Sequence, residues 1–307
     1  MLLFGLLLIL ASVILGGAYY GYRVAFYSPP RKEAPVIRLE GTSLEPYRQE
    51  ITRLYRQIRD RECEFVTIQS QDGLTLSGRY YHVRDGAPLD IGFHGYRSTP
   101  FTDFAGGSEL SFHLGHNLLL VDQRAHGKSQ GRTITFGIQE RQDVLCWVEY
   151  ALQRFGPDTS IFLYGVSMGA ATVLMASGLP LPGNVRRIIA DCPYSVPMDV
   201  IAHVGKSNPL PQCLIRPFVW LGARLFGSFD LLEMDAVQAV RNSQTPILII
   251  HGEADTFVPC EMSEAPCQAN PELVRRVTFP GADHAISYLV DTPRYWQEVI
   301  RFLETLE

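Results

Sequence analysis

In Gly165-Val166-Ser167-Met168-Gly169, a serine stands between two glycines, each two residues away. A serine hydroxyl becomes a useful nucleophile only when a base takes its proton and a turn holds it clear of its neighbours. Ile161 to Tyr164, just before it, reads as a buried strand, and Ala170 to Leu174, just after it, starts a helix. This strand–turn–helix context is what a nucleophile elbow requires, and it sets the hydroxyl near a helix N-terminus that favours developing negative charge. Gly165 and Gly169 would let the chain turn sharply and the helix pack close to the strand.

The base and its orienting acid are sought at other strand ends. Of eight histidines, His284 is best placed, in Pro280-Gly281-Ala282-Asp283-His284 between the last apolar run and a C-terminal helical pattern. Asp255 follows the run Ile247 to Ile250. A single loop histidine is ordinarily a solvated or packing residue; three suitable residues at three strand ends make a triad the better reading. Asp191 is the rival acid, and Asp283 is too close to His284 in sequence to reach its Nδ1 side. His94-Gly95-Tyr96 follows the run Leu89 to Phe93, so the N–H groups of Tyr96 and Met168 are the expected oxyanion donors, with His94 shaping the loop. Asp122-Gln123-Arg124-Ala125-His126-Gly127-Lys128-Ser129 looks like a metal or catalytic cluster, but its position after a strand reads as a structural turn, as does His251-Gly252. No metal and no organic cofactor is expected.

The elements that must position these residues alternate. Phe65 to Ile68 and Leu74 to Val83 pair around Gln71-Asp72-Gly73; further runs are Leu89 to Phe93, Asn117 to Val121, Ile161 to Tyr164, Arg187 to Ala190, Ile247 to Ile250 and Val274 to Phe279. Helical patterns fall at about 139–154, 168–178, 261–270 and 293–305. The alternation predicts an α/β fold with a mostly parallel sheet flanked by helices. Ligands of such sheets bind beyond the carboxyl ends of the strands, where the candidate residues sit.

Residues 1–22 carry no charge, and Leu2 to Leu15 is almost wholly aliphatic, enough for the roughly 20 residues of a transmembrane helix. Tyr19, Tyr20 and Tyr22, then Arg23, resemble an interfacial belt with a charged stop. A cleaved signal peptide is the competing reading, against which stand the missing basic n-region and the missing cleavage signature. Arg23, Arg31 and Lys32 follow the segment, and the positive-inside rule then favours a cytoplasmic C-terminal domain, though so few charges leave the side open. Residues 23–62 read as a linker with Pro29, Pro30 and Pro35, followed by an amphipathic helix with Leu44, Tyr47, Ile51, Leu54, Tyr55 and Ile58, begun by a Thr42–Glu45 capping box. That helix is expected to pack on the domain rather than lie on a membrane. With 46% apolar and 19% charged residues and a net charge of −5 free of basic runs, the chain reads as globular and without a nucleic-acid partner. Its six cysteines form no CxxC pair and read as mostly buried free thiols.

With these motifs placed, residues 63–307 resemble the α/β-hydrolase superfamily, and more closely its membrane-anchored bacterial members of serine aminopeptidase-like or prolyl oligopeptidase-like type. The resemblance rests on His94-Gly95-Tyr96-Arg97, Asp122 to Ser129, Gly165 to Ala171, Ile189-Ala190-Asp191-Cys192, His251 to Pro259 and Gly281-Ala282-Asp283-His284. One departure is Gln123, where relatives more often carry an apolar residue. The resemblance implies a Ser167–Asp255–His284 triad and a small helical cap within 192–244. Leu210, Leu214, Ile215, Phe218, Val219, Trp220, Leu225, Phe226 and Phe229 would there either line an apolar acyl pocket or pack the cap down. The expected activity is hydrolysis of a small-molecule ester or related acyl compound through an acyl-enzyme. The alternatives are a peptidase for short peptides, which needs a cap carboxylate from Asp199, Asp230, Glu233 or Asp235, an acyltransferase, and a non-catalytic module tethered to a membrane.

Overall fold

The computed structural model describes residues 2–29, 43–207 and 211–304; Pro30, Pro35, the capping Thr42 and Leu210 lie outside them. Eight strands form one sheet among these residues: β1 (Glu64–Gln69), β2 (Thr75–Tyr81), β3 (Leu89–Phe93), β4 (Asn117–Asp122), β5 (Ile161–Val166), β6 (Val185–Asp191), β7 (Ile247–Gly252) and β8 (Val274–Phe279). Their order is β1-β2-β4-β3-β5-β6-β7-β8, with β2 antiparallel to both neighbours and every other pair parallel. The central strands are buried on both faces, which is why they read as unbroken apolar runs. Ile161, Leu163, Ile188, Ala190, Ile247 and Ile249 face a layer built from helices Glu140–Phe155 and Met168–Ala176, around Trp147 and Leu174. Phe162, Ile189, Leu248 and Ile250 face the opposite layer, with helices Ala105–His113 and Thr292–Glu304. The fold is the expected α/β architecture.

Local differences from expectation have local causes. Helices Pro100–Asp103 and Ala105–His113 carry no strong helical signal, since Gly106, Gly107 and Ser108 are poor helix formers; Thr99 starts the first by accepting a hydrogen bond from the Thr102 N–H. The stretch expected as one helix over 261–270 divides into a 3₁₀ turn, Cys260–Ser263, and the short helix Glu264–Ala269. The amphipathic helix, Arg48–Arg59, buries Ile51, Leu54 and Ile58 on the domain, and Arg53 joins Glu109 across 2.9 Å. All six cysteines are free; Cys146 and Cys192 are buried, Cys213 is exposed, and Cys260 and Cys267 do not pair.

The N-terminal helix runs Leu2–Ala25, past residue 22, and is long and apolar enough to cross a membrane. Its first turns are exposed, whereas Ala18, Gly21 and Tyr22 are buried. These face helix Gln212–Phe226 at backbone distance: a β-carbon at Gly222 would collide with the Ala18 carbonyl, and one at Gly21 would press on that of Phe218. The segment that follows is no free linker at its start. Phe26 is fully buried against Phe136 and Phe229, and its carbonyl accepts from the Ile134 N–H at 2.8 Å.

At the other side of the sheet, Asp191 ends β6 inside the protein, where the Tyr295 hydroxyl donates to its Oδ2 at 3.0 Å and ties the C-terminal helix to the sheet. Burial pushes this carboxyl up from 3.8 to about 6, against the pull of the Tyr295 bond. Folded protein therefore holds this proton where unfolded chain has lost it, so stability present below about pH 4 is lost as pH rises through about 6. Asp191→Asn should accordingly gain up to about 3 kcal/mol relative to the native chain between about pH 4 and 7, measured as urea midpoints; no pH-dependent difference would refute it. Phe26→Ala should cost about 3–5 kcal/mol by the same measurement in detergent, whereas a loss below about 1 would mean that this ring anchors nothing.

Candidate active site

Between β5 and helix Met168–Ala176 the chain reverses through Ser167 alone, at φ 55° and ψ −115°. Such a conformation costs a non-glycine residue free energy and persists because its surroundings over-determine it. Here the surroundings are contacts without side chains. A β-carbon at Gly169 would strike the Phe93 carbonyl at the end of β3, and one at Gly165 would strike the Gly169 carbonyl. The Ser167 N–H donates to the Asp191 carbonyl at 2.8 Å.

His284 reaches this serine from the loop after β8, with Nε2 3.0 Å from Ser167 Oγ. Its Nδ1 lies 2.7 Å from Asp255 Oδ2. Asp255 Oδ1 accepts the N–H groups of Phe257 at 2.9 Å and Val258 at 2.7 Å. Burial alone would raise this carboxyl; hydrogen bonds from His251 and His284, the His284 charge and the Val258 N–H outweigh it and hold Asp255 well below the usual carboxylate range. Asp255 is thus ionised at neutral pH and accepts the Nδ1 proton, which leaves Nε2 to accept the Ser167 hydroxyl proton. Neither rival acid competes. Asp191 points to Tyr295, and Asp283 accepts from the Thr256 N–H and hydroxyl.

The β3 loop lies beside the serine, where a β-carbon on Gly95 would stand 3.2 Å from that of Ser167. His94 Nδ1 donates to the Gly95 carbonyl at 2.8 Å, and its Nε2 accepts the Gln123 N–H at 3.2 Å. Gln123 Nε2 in turn donates to the His94 carbonyl, which gives this polar residue a structural task. His126 braces the loop further along, its Nε2 accepting the Arg97 N–H at 2.9 Å. The Asp122–Ser129 segment is held as a turn: Asp122 accepts from Arg79 and the Lys128 N–H, and Arg124 pairs with Asp143 and Asp72.

Asp103 lay outside the sequence reading, and His251 entered it only as part of a turn. Asp103, partly buried, accepts the Gly95 N–H and the Ser98 hydroxyl, each at 2.6 Å, and fixes the loop. His251 donates from Nε2 to the Val258 carbonyl at 2.9 Å and stands 3.3 Å from Asp255 Oδ2, so it props the acid rather than merely making a turn. Their signals are a capped short helix and an i,i+4 pair, neither distinctive in a sequence. Among the described residues, the one cluster of His, Cys and acidic ligand atoms is Cys192, Asp255 and His284. Burial pushes the Cys192 thiol well up and keeps it protonated, and Asp255 is already engaged by His284, so the donor set fits a metal poorly.

Above Ser167 lies a cavity of about 530 Å³, lined by Tyr96, Phe136, Met168 and Tyr194 from the domain. Helices Pro197–Val204 and Gln212–Phe226 close over it, contributing Val200, Ile215 and Val219 among others. The third helix between β6 and β7, Ala236–Arg241, instead buries Ala236 and Val240 in the domain core. Both uses of the apolar residues expected between 192 and 244 therefore occur: Ile215 and Phe218 line the cavity, while Phe229 packs.

Comparison with known proteins agrees with this architecture. The chain is similar to the uncharacterized protein YqkD of Bacillus subtilis, 26% identical over 254 residues that cover 82% of this chain and 83% of that protein. It is 28% identical to a lysophosphatidylserine lipase of Danio rerio over 162 residues, 49% of this chain and 38% of the lipase. In structure it is similar to the Pyrococcus furiosus esterase Pf2001, with a TM-score of 0.67 and 22% identity over 91% of this chain and 96% of the esterase, a likeness of fold. A family model described as the alpha/beta hydrolase family matches residues 91–298, and the chain belongs to that family.

Proposed function

We propose that the chain is a serine hydrolase that cleaves a carboxylic ester or related acyl bond of a small molecule through an acyl-enzyme. The observation that carries this is the continuous hydrogen-bonded path Ser167–His284–Asp255 at the floor of an apolar cavity. Ser167 Oγ adds to the acyl carbon while His284 Nε2 takes its proton, and Asp255 holds the ring and stabilises the imidazolium. The N–H groups of Tyr96 and Met168 are the oxyanion donors of this reading, Met168 being the first residue of its helix. The proton passes to the leaving alcohol, and water then repeats the sequence on the acyl-enzyme. No metal or cofactor enters. The names of the lipase and esterase relatives point to the same bond type.

The cap acids weigh against the peptidase reading. A substrate amine needs a carboxylate facing the cavity, but Asp199 pairs with Arg216, Asp230 with Arg224, and Glu233 with Arg141, while Asp235 caps the Ala236–Arg241 helix at the Gln238 N–H. The triad path weighs against a silent tethered module in the same way. Ser167→Ala should lower turnover of a short-chain aryl ester by about 10⁴-fold or more and abolish fluorophosphonate labelling. Full labelling of another residue in that variant would sink the assignment.

We also read Leu2–Ala25 as a retained single-pass membrane anchor. Its 24 residues span about 36 Å, enough for a hydrocarbon core of about 30 Å. The burial of Ala18, Gly21 and Tyr22 supports retention over cleavage, since a removed leader would strip the cap of its partner. Sequencing of the membrane-bound protein should find this segment intact; a mature chain starting after Tyr22 would overturn the reading.

A further inference from the structure

The exposed apolar helix and the apolar cavity share a wall. Val13, Gly17, Tyr20, Gly21 and Val24 line the same space as Ser167 and Met168. From Val13 to Ala25 this wall follows the helix axis for about 18 Å. At its inner end the helix is fastened to the loop beside the serine: Tyr96 Oη donates to the Ala25 carbonyl at 2.7 Å, and Arg97 Nη2 donates to those of Val24 at 2.9 Å and Tyr27 at 3.1 Å. At its outer end, before Val13, exposed leucines, Phe4 and Ile9 present an apolar surface of the kind a hydrocarbon phase covers. Exposed apolar side chains on the cap, including Leu214, Leu225 and Phe226, extend the same surface, with Tyr19 stacked edge-on against Phe226 at 5.2 Å. The cavity is therefore an apolar trough beginning at the nucleophile and running outward along the helix.

Resting on the serine hydrolase reading, we infer that the N-terminal helix forms one side of the acyl-binding site and that the substrate is a long-chain acyl ester drawn from the bilayer, its chain lying along Gly21, Gly17 and Val13. Gly17 and Gly21 border the cavity where Phe218 and Val219 of the cap close on the helix, so helix and cap together wall the path of the chain, and the ester reaches Ser167 without its hydrocarbon crossing water. Among the described residues lining the cavity, the polar side chains are those of Tyr20, Tyr96, Arg97, Ser167 and Tyr194, and the Tyr194 hydroxyl already donates to the Phe136 carbonyl at 3.0 Å.

The full-length protein in detergent micelles, given aryl butyrate, octanoate and palmitate at equal mole fraction, tests this. The native chain should show kcat/KM rising by at least about tenfold from butyrate to palmitate, since each desolvated methylene can add up to about fourfold. Val24→Trp should lower the octanoate and palmitate values relative to butyrate by about tenfold, and Val13→Trp should lower palmitate relative to octanoate. Leu10→Trp, on the same helix but outside the cavity, should leave the chain-length profile as it is. A profile that is flat in the native protein, or that is equally insensitive to all three substitutions, would overturn the inference. Should butyrate turnover vanish in Ser167→Ala while the native profile is flat, this inference falls and the hydrolase reading stands; persistence of turnover in Ser167→Ala removes both.

Discussion

The approach of Gly169 to the Phe93 carbonyl is the constraint on which the site depends. Backbone meets backbone there, so the start of the Met168–Ala176 helix is pressed against the end of β3, and only a residue with no side chain fits. That contact fixes Ser167 in a positive-φ turn and brings it beside the Gly95–Tyr96 loop. Parallel pairing of β3 with β5, in which Phe93 stands opposite Gly165, sets the height at which the two loops meet. The sheet's twist and order then deliver His284 and Asp255 from β8 and β7 on the far side. Buried hydrogen bonds, from His251 and two main-chain N–H groups, keep that acid charged where burial alone would neutralise it.

Much of this was legible because each strand buried on both faces announces itself as a short apolar run, and the chemistry-bearing residues follow such runs directly. Asp191 ends β6 and Asp255 lies just beyond β7, so both stand at the carboxyl ends of neighbouring strands, and sequence could not separate them by type. What separates them is direction: one carboxylate meets an imidazole, the other a tyrosine hydroxyl. Asp103 was invisible for another reason. It works through its side chain on a main-chain N–H eight residues earlier, from the end of the short helix Pro100–Asp103, which is too brief to show a periodic pattern. The two short helices around it were missed with it.

The N-terminal segment illustrates the limit of composition most clearly. Hydropathy finds a helix fit for a membrane, and it finds only that. Which of its faces touches protein depends on Gly17, Ala18, Gly21 and Tyr22 meeting Phe218, Val219 and Gly222, a match between two segments about two hundred residues apart. Prolines after residue 28 suggested that the domain began later than it does. Phe26 shows otherwise, since a fully buried aromatic ring belongs to the core wherever it lies in the chain.

Close contact between Gly21 and the Phe218 carbonyl, and between Gly222 and that of Ala18, has a consequence for how the chain can be rebuilt. Most single-pass anchors are interchangeable, because any run of apolar residues of the right length holds a domain to a bilayer. The Leu2–Ala25 helix is not interchangeable in that way. A substitute segment rich in leucine would match its hydropathy and length, yet its side chains would stand where two backbones now touch. The apolar character of the segment would survive such an exchange, while the seat of the cap would not.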